Sequence, residues 1–395
     1  MNDHSEGSAC PEWDPLAPDA LVDQHSAYDD LRGGCPVAHS DLLGWSVLRH
    51  ADVLDVLHNH DTYRNHASQH LSVPNGMDPP AHTPYRRLIE AYFAPEPMAR
   101  FEPVCDMIAT DLVASTPRGR PIEVMDAFGH EFAVRVQCAF MGWSRDLHES
   151  LRAWVHEQHR ATLAEDRDAL AANARRFDEV AHEVLDARRK AGTDAPDDPT
   201  TRLLGEFVDG RPLTETEIAS IVRNWTVGEL GTIAASVGII VAYLAHHPDV
   251  ESRLRSDRSA ISAGIDEILR IDAPLITNRR VTARPTTLAG VTLRTGERVT
   301  VTWASANRDE RVFGDPDEFR LDRDPSSNLL YGAGIHECPG APLARLELRS
   351  FVTALLDGIE RLRPVHDPAP VRATYPAGGY RSAWVALDDP ARSSD

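Results

Sequence analysis

Residues 329–340 have the sequence Leu-Leu-Tyr-Gly-Ala-Gly-Ile-His-Glu-Cys-Pro-Gly, and Ala-Pro-Leu-Ala-Arg-Leu-Glu-Leu-Arg follows directly. The three glycines indicate a backbone that turns tightly and passes close to something flat. The apolar positions between Leu343 and Phe351 predict an amphipathic helix after this loop. The macrodipole and unpaired N–H groups at the start of such a helix favour a thiolate at Cys338. A thiolate held in this position can bind a metal ion.

This loop resembles the haem-binding loop of the cytochromes P450, whose pattern is Phe-Gly-x-Gly-x-His-x-Cys-x-Gly. Tyr331 stands where the family usually has Phe, and Pro339 stands where it often has Leu or Ile. The resemblance makes Cys338 the ligand of a haem iron, where a single thiolate favours O–O cleavage. It also assigns four further residues of the loop to the haem: Tyr331, Gly332, Gly340 and, as a propionate donor, His336.

The composition is that of a globular protein with a sizeable core. The 395 residues are 42% apolar and 26% charged, which allows one large domain or two ordinary ones. A net charge of −20 argues against binding to nucleic acid or anionic lipid. Five cysteines without metal-finger spacing argue against a disulfide framework. No apolar run reaches membrane-spanning length and the N-terminus lacks the layout of a signal peptide, so we expect a cytoplasmic protein.

The order of the predicted helices, strands and loops along the chain is also similar to the order found in the cytochromes P450. We expect residues 1–18 to form a loose arm and residues 19–395 to form a single haem domain. The resemblance implies a mainly α fold with a small β region, a triangular helical prism in which the haem lies between a long central helix and the helix after the cysteine loop. Residues 62–80 are predicted to be a loop over the substrate pocket, and residues 145–185 to carry lid helices.

Further haem contacts follow from the resemblance. His82 and Arg86 are four residues apart, so they lie on one face of a predicted helix and can bind a carboxylate together. The motif Pro-Pro-x-His-x-x-x-Arg-Arg-Leu over residues 79–88 matches the family, which uses this pair for a haem propionate. Arg280 corresponds to the second propionate arginine, although Arg279 beside it leaves the register open by one residue.

The stretch from Thr214 to His246 predicts one long helix that begins with a capping box and runs through the core. It resembles the central helix of the family and sets Thr232 on the threonine that assists oxygen activation. The family usually has an acid directly before this threonine. This chain has Gly231 there, and Glu229 lies three residues before Thr232.

Three roles for Glu229 are open. It replaces the missing acid in proton delivery, or it binds a cationic or hydrogen-bonding group of the substrate, or it satisfies helix backbone near the glycines; we favour the first. The candidate substrate contacts are Trp225, Val227 and Gly228 on this helix, Leu275, Ile276 and Thr277 at the start of a strand, and Tyr380 in a late turn. Aromatic and branched residues at such spacing more often belong to the hydrophobic core than to a substrate pocket.

Two other local patterns predict structure. Glu267 and Arg270 are three residues apart on a predicted helix and resemble the structural Glu-x-x-Arg pair of the family, whose third member is open between Arg308 and Arg320. Residues 287–293 and 299–303 are predicted to form a hairpin across Thr295-Gly296.

Together these features imply a haem-thiolate monooxygenase with haem b as cofactor. It would insert one oxygen atom of dioxygen into a small or medium-sized organic substrate, with electrons from NAD(P)H through a ferredoxin reductase and a ferredoxin. The alternatives are a cytochrome P450 that couples or rearranges its substrate or uses peroxide, and a haem-based sensor or carrier. Because Pro339 has no N–H, one hydrogen bond to the sulfur is absent, which predicts a low haem potential.

Overall fold

The computed structural model describes residues 11–65, 71–164, 166–375 and 377–388. Their contacts group into two compact units. The smaller unit comprises Met1–Ala67, Ile276–Glu318 and Asp322–Glu337, and the larger comprises Ser68–Leu275, Phe319–Leu321 and Cys338–Asp395. The single haem domain over residues 19–395 stays a prediction.

The α-helices in the described residues are α1 (Pro18–Val22), α2 (Gln24–Gly34), α3 (His50–His58), α4 (His82–Tyr92), α5 (Pro95–Ser115), α6 (His130–Met141), α7 (His148–Leu163), α8 (Arg167–Ala191), α9 (Pro199–Leu203), α10 (Glu215–His246), α11 (Pro248–Ser256), α12 (Ile261–Ile271), α13 (Trp303–Ala306), α14 (Glu310–Phe313) and α15 (Ala341–Gly358). The strands are β1 (Val37–Ser40), β2 (Gly44–Val47), β3 (Tyr63–Arg64), β4 (Pro121–Glu123), β5 (Phe207–Val208), β6 (Arg211–Pro212), β7 (Thr277–Thr282), β8 (Thr286–Leu288), β9 (Val291–Leu293), β10 (Arg298–Thr302), β11 (Arg361–Pro364), β12 (Val371–Arg372), β13 (Tyr380–Ser382) and β14 (Trp384–Asp388). The mainly α fold with a small β region is confirmed.

The smaller unit is built on a five-stranded sheet with the order β1-β2-β10-β7-β3. β2 and β10 are parallel, and the other neighbours are antiparallel. Val299 and Val301 of β10 are fully buried in an apolar cluster with Val37 and Val47 of the first two strands. The branched side chains that favour strands therefore also form the core of this unit.

The N-terminal segment is partly paired with this sheet. The Trp13 N–H donates to the His39 carbonyl at 2.9 Å, and the His39 N–H donates to the Pro11 carbonyl at 3.0 Å. Residues 11–13 of the predicted loose arm are therefore hydrogen-bonded to β1. Residues 1–10 lie outside the described residues.

The hairpin predicted across Thr295-Gly296 is wrong. β8 instead pairs with β9 across Ala289 and Gly290, whose φ angles are 48° and 88°. Two successive positive φ angles suit the tight two-residue turn that matches strand twist. β10 pairs with β7 and β2, not with the strand before it.

The larger unit contains the long central helix, and this prediction is confirmed. α10 has 32 residues, and most of its side chains are buried. At its start the Thr214 hydroxyl accepts from the Glu217 N–H, and the Glu217 carboxylate accepts from the Thr214 N–H at 2.8 Å. This reciprocal pair is the predicted capping box, and it satisfies two N–H groups that the helix leaves unpaired.

α10 packs closely on a π-helical turn, Met125–Gly129. A Cβ atom at Gly238 would lie 2.3 Å from the Met125 sulfur, and one at Gly129 would lie 2.8 Å from the Ala234 carbonyl oxygen. At Gly129 the two backbones therefore approach each other too closely for a side chain, and at Gly238 the Met125 side chain fills the space that a Cβ atom would need.

α10 is long and apolar enough, by length and composition, to cross a membrane, and no other helix in the described ranges meets this test. The expectation that no apolar run reaches that length is therefore wrong. Of its most apolar 18-residue window, 67% is buried inside the protein, as in a core helix.

The variable regions follow the predictions in part. α7 and α8 cover most of residues 145–185, where lid helices were expected. The predicted loop over residues 62–80 is interrupted by β3, which pairs with β7, and residues 66–70 of that loop lie outside the described residues.

Candidate functional site

Cys338 lies three residues before the first residue of α15. The N–H groups of Gly340 and Ala341 donate to its sulfur and lower the pKa of the thiol, and the charge of Arg86 acts in the same direction. Burial is the largest effect and raises the pKa above its usual value, to which the charge of Glu229 adds. Residue 339 is proline, so the first N–H after the cysteine is missing.

The surroundings of Cys338 indicate an internal concavity. Its side chain is exposed, yet enough protein encloses it that burial raises the pKa of the thiol. α10 shows a similar local exposure, because Val227 is 43% exposed and Gly228 is exposed, whereas Thr226 and Leu230 are buried. These two exposed residues interrupt the otherwise largely buried length of α10.

Thr232 and Glu229 lie on this part of α10. The Thr232 hydroxyl donates to the Gly228 carbonyl at 2.5 Å, one helical turn back. The Glu229 side chain is half-buried as a whole, but its Oε1 is fully buried and accepts no hydrogen bond from a described residue. The structure thus leaves the predicted acid, three residues before the threonine, with unused hydrogen-bonding capacity.

A second buried acid faces Glu229. Glu347 of α15 is fully buried, and neither of its carboxylate oxygens accepts a hydrogen bond within the described part of the chain. Burial raises the pKa of Glu347 well above its usual value, and the neighbouring Glu229 raises it further. Burial also raises the pKa of Glu229, while a hydrogen bond with Glu347 lowers it.

Glu347 was missed by the sequence reasoning, although a signal is present. It lies four residues after Leu343 and four before Phe351, both of which are buried. A carboxylate on the apolar stripe of a helix is a feature that needs an explanation. Cys105 of α5, which faces the same pair, gave no such signal, because a cysteine among apolar residues is ordinary.

The predicted propionate donors of the larger unit lie together at the start of α4. His82 is the first residue of the helix and is buried. Arg86 lies one turn later, and its Nε donates to the Glu90 carboxylate at 2.6 Å. The structure confirms that the two share a helix, and their role toward a haem stays a prediction.

The smaller unit holds the rest of the predicted loop. Gly332 and Gly334 have φ angles of 77° and 72°, in the left-handed region that favours glycine. A Cβ atom at Gly334 would lie 2.5 Å from the Leu57 carbonyl oxygen. Tyr331 and His336 are half-buried in this turn.

The register at Arg279 and Arg280 is decided by burial. On β7 Arg280 is buried and its guanidinium donates to the Arg279 carbonyl at 2.8 Å, whereas the Arg279 side chain is exposed. Alternate residues of a strand face opposite sides of the sheet, so only one of the two faces inward. This supports Arg280 as the candidate.

The predicted Glu-x-x-Arg pair is present in the larger unit. Arg270 is fully buried, and its guanidinium donates two hydrogen bonds to the Glu267 carboxylate, at 2.8 and 2.9 Å. The N–H of Arg320 donates to the same carboxylate at 3.2 Å. Of the two candidates for a third member, Arg320 therefore contributes through its main chain, and Arg308 pairs with Asp29 and Asp317.

The candidate substrate contacts differ in their surroundings. Trp225 packs against Tyr92 and Phe93, with ring centroids 5.2 and 5.4 Å apart, so most of its ring belongs to an aromatic cluster. Tyr380 is half-buried, and its ring lies under the guanidinium of Arg372 at 4.6 Å. The other candidates are Val227, Gly228 and Leu275, which are exposed, and Ile276 and Thr277, which are buried. Their roles as substrate contacts stay predictions.

The residues of the larger unit fit a haem. No group of three or more His, Cys, Asp or Glu side chains capable of holding a metal occurs in the portion that the structure describes. A haem carries the other ligands of its iron with it and needs from the protein a single axial ligand such as the thiolate of Cys338, as in a haem-thiolate centre. The two N–H donors to the sulfur suit a bound thiolate, because such hydrogen bonds stabilise its negative charge.

Known proteins are similar to this chain over most of its length. The family model described as Cytochrome P450 matches residues 125–360. Cyclomarin C epoxidase CymV of Salinispora arenicola is 30% identical over 382 residues, covering 92% of this chain and 95% of that protein. Vitamin D(3) 25-hydroxylase of Pseudonocardia autotrophica is 30% identical over 349 residues, covering 84% and 85%.

Solved structures share the fold. A mutant of P450 EryK in complex with erythromycin B has a TM-score of 0.85 at 26% identity, covering 95% of this chain and 98% of that one. Cytochrome P450 CYP109Q5 from Chondromyces apiculatus has a TM-score of 0.86 at 25% identity, covering 96% and 99%. The similarity extends over nearly the whole chain in each case.

Proposed function

This chain belongs to the cytochrome P450 family and is a monooxygenase, and we propose that it hydroxylates, epoxidises or dealkylates a small or medium-sized organic substrate with electrons from a ferredoxin. The observation that carries this proposal is the enclosed Cys338 thiol with two N–H donors to its sulfur. A sensor or carrier needs such a ligand as well, but it has no need for the hydroxyl of Thr232 on the exposed part of α10.

Haem b would supply the oxygen activation and the redox chemistry when bound. Cys338 would bind its iron, and by the resemblance His82, Arg86, Arg280 and His336 would donate to its propionates. The Thr232 hydroxyl would hold a proton for delivery, and the side chain of Glu229 would replenish that proton. The pocket residues would orient the substrate so that one position reacts.

The names of the relatives support a substrate of natural-product size. They include an epoxidase of cyclomarin C, a vitamin D(3) hydroxylase and a 6-deoxyerythronolide B hydroxylase. We infer a role in secondary metabolism, with NAD(P)H, a ferredoxin reductase and a ferredoxin as the electron source, in the cytoplasm.

One observation favours a second candidate. Gly231 occupies the place of the usual acid, so a peroxide-driven oxidation, a coupling or a rearrangement would suit a weakened proton path. Turnover with hydrogen peroxide alone, compared with reductase, ferredoxin and dioxygen, separates a peroxide-driven enzyme from a monooxygenase. Mass analysis of the product shows whether an oxygen atom was inserted.

The proposal is tested on the purified haem-loaded protein. Addition of carbon monoxide after reduction should give the absorption band of a thiolate-bound haem. A library of small organic molecules should then contain compounds that shift the ferric spin state and are oxidised in the presence of NADPH, reductase and ferredoxin. A preparation that binds no haem, or one in which every spin-shifting compound is recovered unchanged, contradicts the proposal.

We predict that Thr232→Ala uncouples electron use from product formation. Without the hydroxyl, product formed per electron pair should fall by a factor on the order of 10², the low end for a positioned proton donor. NADPH oxidation should continue and release peroxide. Thr232→Ser is the matched control and should retain coupling. An equal loss of coupling in both variants would mean that the packing of the threonine methyl group, and not its hydroxyl, is responsible.

We predict that Pro339→Leu raises the haem reduction potential. Leucine restores an N–H next to Cys338, and an added donor removes charge from the sulfur. The shift should be on the order of 60 mV, a tenfold change for a one-electron couple. Spectroelectrochemical titration measures it, with Pro342→Leu at an exposed position in the first turn of α15 as control. An unchanged potential in Pro339→Leu contradicts the argument.

A further inference from the structure

Aromatic side chains from α4, α6 and α10 form a cluster inside the larger unit. Trp225 of α10 lies 5.2 Å from Tyr92, the last residue of α4, measured between ring centroids. It lies 5.4 Å from Phe93, the residue that follows. Phe140 of α6 is stacked on Phe93 with a centroid separation of 5.8 Å. Such separations are those of rings in direct contact, so the cluster is a continuous path from ring to ring.

One end of this aromatic cluster lies beside the cysteine loop. A Cβ atom at Gly340 would lie 3.8 Å from the Cys338 sulfur and 4.0 Å from Cε1 of Phe93. The sulfur and the edge of the Phe93 ring are therefore neighbours across this glycine. Because Cys338 would bind the iron, the aromatic cluster begins next to the haem centre.

The other end of the cluster is a tyrosine with a carboxylate on its hydroxyl. The Tyr92 hydroxyl donates to the Glu206 carboxylate at 2.9 Å. Burial raises the pKa of Tyr92 above its usual value, and the charge of Glu206 raises it further, so the resting phenol keeps its proton. Glu206 is half-buried, and Phe207 directly after it is 62% exposed. The cluster thus ends close to the protein surface.

Trp225 and Tyr92 differ in what can happen to their protons on oxidation. Indole and phenol rings can give an electron to a strong oxidant, whereas a phenylalanine ring resists oxidation under the same conditions. Nε1 of Trp225 is buried, and its N–H finds no acceptor among the described residues. An oxidised indole that keeps its proton remains a strongly oxidising cation. An oxidised phenol loses its proton to a hydrogen-bonded carboxylate, which makes its oxidation easier, so an electron vacancy on Trp225 moves on to Tyr92.

We propose that Trp225 and Tyr92 carry oxidising equivalents from the haem centre to the surface near Glu206, and so protect Cys338 and the haem when no substrate reacts. This inference rests on the proposed function, because it needs an oxidising haem-thiolate centre. It gives the protein a further activity, the removal of unused oxidising equivalents through its own side chains. Trp225 then acts in electron transfer and not as a substrate contact.

The electrons and protons of this route balance. Hydrogen peroxide, the oxidant, takes two electrons from the haem centre and two protons from solvent and becomes water. Trp225 returns one electron to the haem centre, and Tyr92 returns one to Trp225 while its phenol proton passes to Glu206. An external one-electron reductant, a thiol or ascorbate, then reduces the Tyr92 radical, and Glu206 gives the proton back. The second oxidising equivalent follows the same route, and every side chain returns to its starting state.

Tyr85 provides a matched comparison within the same helix. It lies two turns before Tyr92 on α4, and its hydroxyl also donates to a carboxylate, that of Glu217. Arg211 donates two hydrogen bonds to Glu217 and holds the pKa of this carboxyl well below its usual value. Glu217 is therefore a poor acceptor for the proton of Tyr85. We expect Tyr85 to stay reduced when Tyr92 is oxidised.

The test uses the ferric haem-loaded protein without substrate, mixed with hydrogen peroxide and frozen rapidly. Electron paramagnetic resonance should show a tyrosyl radical, whose spectrum narrows when the protein contains ring-deuterated tyrosine. We expect Tyr92→Phe to lose this signal and Tyr85→Phe to keep it. A wild type without a tyrosyl radical, or a signal that Tyr92→Phe leaves unchanged, overturns the proposal.

Two further variants test the steps on either side of Tyr92. Trp225→Phe keeps an aromatic ring in the cluster but removes the oxidisable indole, so the tyrosyl radical should form several-fold more slowly. Glu206→Gln keeps an acceptor for the Tyr92 hydroxyl but removes the base, so the radical should stay on Trp225 with the spectrum of an indole. A wild-type rate in Trp225→Phe overturns the route through the indole. An unaltered tyrosyl signal in Glu206→Gln overturns the proton transfer.

Protection is measured by the survival of the thiolate-bound haem. Samples are exposed to hydrogen peroxide for increasing times, then reduced and treated with carbon monoxide. The absorption band of the thiolate-bound haem should be lost several-fold faster in Tyr92→Phe and Trp225→Phe than in the wild type. Tyr85→Phe should lose it at the wild-type rate. Equal rates in all four proteins overturn the protective role.

These readouts separate this inference from the proposed function. A normal carbon monoxide band without a radical on Tyr92 contradicts the inference and leaves the monooxygenase in place. A protein that binds haem without giving the thiolate band contradicts the proposed function. All variants are compared at equal haem content and with an intact band before exposure to peroxide. If Tyr92→Phe fails to bind haem, ring-deuterated wild type and Glu206→Gln give the same decision.

Discussion

Cys338→Ser is expected to reduce oxygenation to background and to abolish the carbon monoxide band of a thiolate-bound haem. Serine keeps the size and the hydrogen bonds of the side chain, but its hydroxyl ionises far less readily than a thiol. The electron donation that favours O–O cleavage is therefore lost even where the haem still binds. Product analysis and the absorption spectrum of the reduced protein measure the two effects.

The control for this variant is Cys138→Ala. Cys138 is a buried thiol of α6, and its pKa is raised to about 12 by burial. Its replacement should leave both the spectrum and turnover in place, because it serves only as packing. If Cys138→Ala lost the thiolate band and Cys338→Ser kept it, the assignment of the ligand would be wrong.

Glu267→Ala is expected to destabilise the protein by about 3–5 kcal/mol, the range for removing one partner of a buried ion pair. Arg270 is fully buried and donates two hydrogen bonds to Glu267, and the N–H of Arg320 donates a third. Alanine removes the Glu267 carboxylate, and with it two hydrogen bonds, from a guanidinium that stays buried. Urea unfolding with and without haem measures the loss.

A surface pair provides the comparison for Glu267→Ala. Glu157 and Arg160 are also three residues apart, but their side chains are 30% and 63% exposed. Glu157→Ala should change the urea midpoint far less than Glu267→Ala does, because water replaces the lost contact. Equal losses at the two sites would mean that burial of Arg270 is not what makes the pair important.

The features that the sequence predicted correctly depend on residues close together in the chain. The capping box at Thr214 and Glu217, the pair Glu267 and Arg270, and the helix after Cys338 each follow from a spacing of three or four residues. Such spacing fixes which side chains meet on a helix, independently of the rest of the fold.

The features that it missed depend on pairing between distant segments or on main-chain groups. The tight turn between β8 and β9 includes Ala289, whose positive φ its residue type does not suggest, and the strand beginning at Arg298 pairs with the distant strands β7 and β2. The third contact of Glu267 is the N–H of Arg320, a group that every residue but proline carries. Glu347 meets Glu229 only because two helices cross, which neither local pattern shows.

The close approach at Gly129 and Gly238 has a mechanical consequence. At Gly129 the Ala234 carbonyl of α10 stands where a side chain would be, and at Gly238 the Met125 side chain packs directly on the backbone of α10, so sliding of α10 past the π-helical turn would cause a steric clash. The helix that carries Thr232 and Glu229 is thereby held in a fixed position against this turn. Motions that admit a bulky substrate must therefore occur in other helices. The turn of α10 from Glu229 to Thr232 keeps its position during them.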